Sequence, residues 1–410
     1  MTIQGRTVVV VGGGIAGMAA ALLLAKVGAL VTVLERVAAP EAVGAGLVLQ
    51  PNGLAVLRAL GLGEELERGA HRLSDGLALR DAAGAVLLRP AVPDFGFGLD
   101  HILAVRRSHL YGVLLAAVEG CPAITMHLGV EVARAHPDGR VEISGPSDTR
   151  VVTGEVVVGA DGVGSAVRDH GDFGVSVHPG GVRYVLGLAP GVDLGLDGEY
   201  WTRLGLFGGV SVDRASTYLF AAADAPAVAE AVARRDLSAF RALWAQALPL
   251  AGPALDRVAS WDELLVIEVR RINCACWVDG RLVLVGDAAH AMAPNLGQGA
   301  NSALVDAAVL AVELAADQPV EQALSRYAER RRPAVHRVQD AADRLAQASR
   351  LTNPVLHRLR DAGLRRIGRA ERWMDRQAWS VQQEDPAWLY TVAQSLPDEA
   401  RPAGAAPSGQ

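Results

Sequence analysis

Nearly uninterrupted apolar runs stand at four places along this chain: Thr7–Val11, Leu30–Leu34, Val151–Gly159 and Arg281–Val285. Runs without polar alternation suit strands covered on both faces, as in a parallel sheet. The first stops at Gly12-Gly13-Gly14, an Ala- and Leu-rich helical pattern follows from Ile15 to Val27, and the second ends at Glu35. Strand, glycine turn, helix and strand within about thirty residues predict a βαβ unit opening a parallel sheet.

The pattern then changes twice. Helical segments at Gly53–Leu60 and His109–Glu119 lead to short strands near Ile124–Val132 and Val141–Ser144, around the turn His136-Pro137-Asp138-Gly139. From Val182 to Val269, alternating segments such as Tyr184–Leu188, Leu204–Val212 and Thr217–Ala222 predict an antiparallel sheet with one packed face, interrupted by a helix over Ala227–Leu248. After Gly299 the pattern is helical: Ala303–Ala316, Val320–Ser349 and a basic amphipathic stretch Val355–Ala378. The tail 397–410 is mostly Pro, Ala, Gly and Ser and predicts disorder. The class is α/β. A discontinuous nucleotide-binding domain takes 1–75, 100–180 and 275–345, an inserted β-sheet domain 76–99 and 181–274, and C-terminal helices 346–396.

Composition removes several classes. Half of the 410 residues are apolar and 20% are charged, so bulk disorder is excluded. The net charge of −6 argues against a nucleic-acid surface. Cys121, Cys274 and Cys276 are too few for a disulfide framework, and a lone C-x-C lacks the partners of a zinc site. Cys274 and Cys276 read as two same-face positions of one strand. No signal-peptide pattern precedes the first strand and no apolar stretch is long enough to span a bilayer, so the expected compartment is the cytoplasm.

Three runs carry chemistry. Gly12-x-Gly14-x-x-Gly17 follows a strand and opens a helix, the context of a dinucleotide fingerprint. Gly12 permits the tight turn, Gly14 the approach of a pyrophosphate to the backbone, and Gly17 close helix packing; the helix N-terminus favours the phosphates. Glu35 ends the second strand where an acid would accept ribose hydroxyls. The second run is Gly159-Ala160-Asp161-Gly162-x-x-Ser165-x-x-Arg168. The third runs from Leu284 through Gly286-Asp287-Ala288-Ala289-His290 to Pro294, Gly297-Gln298-Gly299-Ala300-Asn301.

In this order and spacing, over roughly residues 5–345, the three runs resemble the single-component FAD-dependent aromatic hydroxylases of the para-hydroxybenzoate and salicylate hydroxylase type. The resemblance implies a glutathione-reductase-type, Rossmann-like FAD-binding domain with an inserted antiparallel substrate sheet. It also implies cofactor contacts at Gly12, Gly14, Ala16, Gly17, Glu35, Arg36, Val130 and Asp161, the last also reaching NADH or NADPH. Gly46, in Gly44-Ala45-Gly46, would pass the flavin ring, and Arg107 of an R-x-x-L helix start would meet FAD phosphate or adenine. Asp287 would hold the ribityl chain, a role suited to a charged acceptor at a strand end. Pro294 would wall the ring, Gly297 and Gly299 would let the backbone approach it, and the amides of Gly299, Ala300 and Asn301 would face its N1–C2 edge and stabilise reduced, anionic flavin. His290 would organise the loop, and Asp306 reads as a packing or capping acid.

Candidates for the substrate wall are Arg183, Tyr184, Tyr200, Trp201, Arg203, Phe207 and Tyr218, with Arg203 a carboxylate or phenolate anchor. The activity the resemblance implies is NAD(P)H-dependent reduction of FAD, formation of a C4a-hydroperoxide with O2, and oxygen transfer to a small aromatic or electron-rich molecule, by a monomer or homodimer. A reductase or oxidase on the same fold, without oxygen insertion, is the alternative; a flavin halogenase is disfavoured because no W-x-W-x-I-P run occurs and Lys26, in the first helix, is the sole lysine. Phenols, indoles, quinolones and polyketide intermediates fit equally. Hydroxylation, epoxidation and Baeyer–Villiger insertion stay open.

Overall fold

The computed structural model describes residues 3–39, 45–144, 150–191, 194–351 and 353–396; the tail 397–410 and Gly44 lie outside them. A six-stranded sheet carries the nucleotide-binding half, in the order Val278–Asp279, Leu282–Leu284, Val156–Gly159, Thr7–Val11, Leu30–Glu35 and Ile124–Leu128. All its pairings are parallel except that of the short edge strand Val278–Asp279. The helices Ile15–Lys26 and Gly299–Ala315 pack together, and their apolar side chains join the strands in one main core.

The second large sheet has seven strands, in the order Leu264–Cys274, Val175–Pro190, Ser216–Ala222, Gly205–Ser211, Gly198–Thr202, Ala78–Asp81 and Val86–Leu88. Its pairings are antiparallel except that of Gly198–Thr202 with Ala78–Asp81. Both faces are covered, unlike the one-sided sheet the alternation suggests. Tyr200, Phe207, Leu219 and Ala221 face the helices between Pro226 and Leu255. Tyr184, Leu186, Trp201 and Leu206 face the other way, toward Ala293, Leu296 and Ala342. The helix Val320–Ser349 contributes Tyr327 and Val335 to the main core and Ala342 and Ala346 to this inner cluster, so one rigid element ties the two halves.

Several boundaries differ from the sequence pattern. Val151–Gly159 is two strands: Arg150–Thr153 joins a three-stranded antiparallel sheet and Val156–Gly159 the parallel one. They part at Gly154, where a Cβ would lie 2.7 Å from the Val156 carbonyl oxygen. Ala227–Leu248 is two helices, Pro226–Ala233 and Leu237–Ala247. Arg235, at φ 53°, breaks them, and Asp236 caps the second by accepting from the Ala239 amide. The basic stretch likewise divides into Pro354–Ile367 and Glu371–Gln382. The 180/181 domain division falls inside the strand Val175–Pro190, and the last helix, Pro386–Ser395, packs on Pro51–Ala59 and into the main core. Cys276 lies beyond the strand that Cys274 ends and is exposed, so the pair does not share a strand face. Burial pushes the Cys274 thiol up to about 11, which leaves it unreactive. No helix among the described residues is long and apolar enough to cross a membrane.

Candidate active site

The Gly12–Gly17 turn separates two uses of glycine. Gly12 has φ 104°, and a Cβ there would sit 2.5 Å from the Ala160 carbonyl oxygen; one on Gly17 would overlap the Gly12 oxygen at 1.8 Å. Both are demanded by the protein's own packing. A Cβ on Gly14 would meet nothing within 4 Å among the described residues, so its smallness leaves space for a ligand. The helix it starts has no side-chain cap and no acid in its first turn. Glu35 closes the turn from the neighbouring strand: Oε2 accepts from the Gly13 amide at 2.6 Å and Oε1 from the Val37 amide at 2.8 Å. Ala16 follows in the helix, Arg36 is exposed beside Glu35, and the Val130 amide donates to the Glu35 carbonyl at 2.8 Å.

The third run converges on the same place. Gly286 sits at φ 60° where the two core helices meet, its Cβ position 3.1 Å from Ala303 and 3.2 Å from Ala16. Asp287 is the exposed residue in an otherwise buried stretch, and its carboxylate has no bond among the described residues. Behind it, Asp306 is a wholly buried hub: Oδ2 accepts from the Gly286 amide at 2.9 Å and lies 2.5 Å from His290 Nε2, while Oδ1 accepts from Arg331 Nε at 2.8 Å. Burial by itself would raise its pKa, but His290 and Arg331 hold it down to about 2. Asp306 thus ties the Gly286–His290 loop to Arg331, a wider role than the packing or capping acid the sequence suggests.

The flavin-loop candidates follow. Pro294 is exposed at the start of a short 3-10 turn. Gly297 is left-handed, φ 61°, with a Cβ position 2.5 Å from Val48 Cγ2, so it too answers to the protein. Gly299, like Gly14, opens a helix without a side-chain cap and has nothing within 4 Å of its Cβ position; Ala300 follows it, half-buried. The Asn301 side chain is taken up within the protein. It donates to the Gly297 and Val48 carbonyls at 2.7 and 3.0 Å and accepts from the Gln50 amide at 3.0 Å, riveting the strand Gly46–Leu49 to the loop. Gly46 is pressed against Tyr218, its Cβ position 2.5 Å from the ring. Arg107 is exposed, whereas Arg106 is tied to Asp213 and Ser216.

Asp161 turns inward. Its carboxylate accepts from Ser165 Oγ at 2.5 Å and from the Ala166 and Val167 amides at 2.7 and 3.2 Å, and burial pushes its pKa up. It starts the helix Ala166–His170, and Arg168 then bonds the Ala288 carbonyl at 3.2 Å, joining the second run to the third. What this loop leaves open is main chain at Gly162 and Gly164, whose Cβ positions are free.

The substrate candidates divide by face. Tyr184, Trp201 and Tyr218 are on the inner face, opposite the Pro294 loop, and the Tyr184 hydroxyl donates to Asn295 Oδ1 at 3.1 Å. The structure does not bring Tyr200, Phe207 or Arg203 there. Tyr200 and Phe207 pack under the outer helices, where the Tyr200 hydroxyl donates to Asp197 at 2.9 Å. Arg203 lies exposed in the hairpin between Thr202 and Gly205, pointing to no apolar setting that would make it an anchor. Arg183 is half-buried one position before Tyr184, on the opposite side of the pleat. The sequence reading missed Glu199, an inner-face acid two residues before Trp201 that accepts from Trp201 Nε1 at 2.5 Å. Burial pushes its carboxyl up to about 7. An unpaired acid inside an apolar strand is the signal that marks it.

Two uncapped helix N-termini, two glycines facing open space and a free acid at Asp287 together fit an extended dinucleotide lying along main chain. Comparison with known proteins agrees. Residues 6–342 match a family described as FAD binding domain. The aurachin C monooxygenase/isomerase of Stigmatella aurantiaca is 32% identical over 79% of this chain and 84% of its own length. A 2-heptyl-3-hydroxy-4(1H)-quinolone synthase of Mycobacteroides abscessus is 32% identical over 88% and 94%. The tetrameric form of 2-methyl-3-hydroxypyridine-5-carboxylic acid oxygenase superposes with a TM-score of 0.74, 26% identity, covering 90% of this chain and 98% of that one.

Proposed function

The chain belongs to this FAD-binding-domain family of flavoprotein monooxygenases, and on that premise we propose that NADH or NADPH and O2 are its co-substrates and a small aromatic or electron-rich molecule its acceptor. The observation that carries the reading is the pairing of the Gly14 and Gly299 helix starts, both open among the described residues, with an apolar sheet face turned toward the Pro294–Asn295 loop. FAD, when bound, supplies two-electron uptake and oxygen activation. Glu35 and Asp287 would take its hydroxyls, and the Ile15–Lys26 helix start its phosphates. The helix starting at Gly299 sets a positive dipole end where negative charge develops on the ring. Pro294 and the apolar inner face exclude water and hold the substrate ring.

The absence of a second glycine fingerprint in the sequence leaves the nicotinamide no domain of its own, so it would visit the same flavin. The test is purification followed by turnover: a yellow protein whose NADH or NADPH oxidation is accelerated by an aromatic compound, with label from ¹⁸O2 in the organic product. Hydride consumption without label in any product would overturn the proposal in favour of a reductase or oxidase.

A further inference from the structure

Glu199 belongs to a cross-strand row on the inner face that is otherwise apolar: Leu79, Glu199, Gly208, Phe220, Leu186 and Leu265. One carboxyl oxygen is taken by the Trp201 indole at 2.5 Å; the other has no hydrogen bond and no cation among the described residues. Half-buried, Glu199 is the accessible polar group of a row whose neighbours Trp201 and Gly208 are closed off. On the flavin loop, the Asn295 side-chain amide nitrogen is buried beside Tyr184 with no partner among the described residues. The inner sheet face and the flavin loop thus each carry one unmet polar group.

We propose that Glu199 anchors the substrate, and that the substrate is an aromatic ring offering an N–H or O–H donor and carrying no carboxylate. This rests on the monooxygenase reading and names the substrate class of the same site. A carboxylate in an apolar wall makes a strong, charge-assisted bond to such a donor. As the ring proton moves toward the free Glu199 oxygen, its electron pair stays with the ring, enriching the ring for electrophilic oxygen. A ring carboxylate in the same position would meet like charge. The neighbouring charges do not neutralise Glu199. Arg360 stacks on Trp201 at 4.7 Å and pairs with Asp361, Asp81 pairs with Arg365, and Arg107 lies toward Tyr218. Burial sets the Glu199 carboxyl to about 7, so it changes charge at neutral pH.

The experiment titrates FAD-loaded enzyme with 4(1H)-quinolone, its N-methyl counterpart and 3-hydroxybenzoate, following flavin absorbance on both sides of neutrality. Wild type should bind the N–H ring roughly tenfold tighter than the N-methyl ring, more so as pH rises and Glu199 ionises. Glu199→Gln should lose that preference and its pH dependence and gain on the benzoate, while Glu199→Asp, which keeps the charge, retains the pH dependence. Equal binding of the two quinolones by wild type, an unchanged preference in Glu199→Gln, or tight benzoate binding would overturn the proposal. Binding read this way needs no oxygen chemistry: rings that bind as described without ¹⁸O in product sink the monooxygenase reading and leave Glu199 standing.

Discussion

At the Gly12–Gly17 and Gly297–Gly299 turns, main chain faces the ligand space: open Cβ positions at Gly14 and Gly299 and helix amides free of side-chain caps. On the inner face of the seven-stranded sheet the polar groups are side chains: Glu199, Tyr184 and, from the facing loop, Asn295. The first region is backed by a buried ion cluster, Asp306 with His290 and Arg331; the second by an apolar cluster. A cofactor surface made of backbone depends on exact approach and so on a stiff support. A substrate surface made of side chains can change its selectivity one residue at a time without moving that support.

Removing the support should have the largest effect. Asp306→Ala would leave Arg331 buried without its anion and the Gly286 amide unpaired, costing about 3–5 kcal/mol in denaturant unfolding. The acid's lowered pKa gives the sign with pH: it contributes stability above its ordinary 3.8 that is lost as pH falls toward about 2. Wild type should therefore weaken across that interval more than the variant. If Asp306→Ala unfolds like wild type, the contrast in support is wrong.

Gly14→Val tests the main-chain surface directly. Because no neighbouring atom of the described residues lies within 4 Å of the Cβ position, the variant should fold with a near-wild-type melting curve yet purify colourless. A variant that keeps stoichiometric FAD would break the assignment of this loop. Asp287→Ala should act in the same direction but less severely. Each lost bond to a charged group costs about 1.5–3 kcal/mol, so flavin titration should show at least a roughly tenfold weaker complex; less than about a twofold change would remove Asp287 from the site.

The smallest effect sharpens the division between sheet faces. Tyr200→Phe loses one outer-face bond to Asp197, about 1 kcal/mol of stability, and should leave coupling of NAD(P)H oxidation to product unchanged. Tyr184→Phe frees Asn295 on the inner face and should divert reducing equivalents to hydrogen peroxide. Equal coupling in the two variants would erase the difference between the faces.

The amino-acid sequence by itself determined the parallel strands, the two glycine turns and their helices, and Glu35 and Asp287 at strand ends. Each of these is a local pattern: β-branched runs can bury both faces, and a glycine fingerprint is a statement about backbone approach over a few residues. The long helix Val320–Ser349 was legible for the same reason. Only the tertiary structure decided which face of the second sheet looks at the flavin loop. The alternation of Glu199, Tyr200 and Trp201 gives two faces but does not say which helices cover which, so Tyr200 and Glu199 exchange importance once the outer helices close on Tyr200. The places of Asn301 and Asp306 were likewise settled by partners brought from other segments, because a side chain's free hydrogen-bonding capacity is what remains after the fold has used its share.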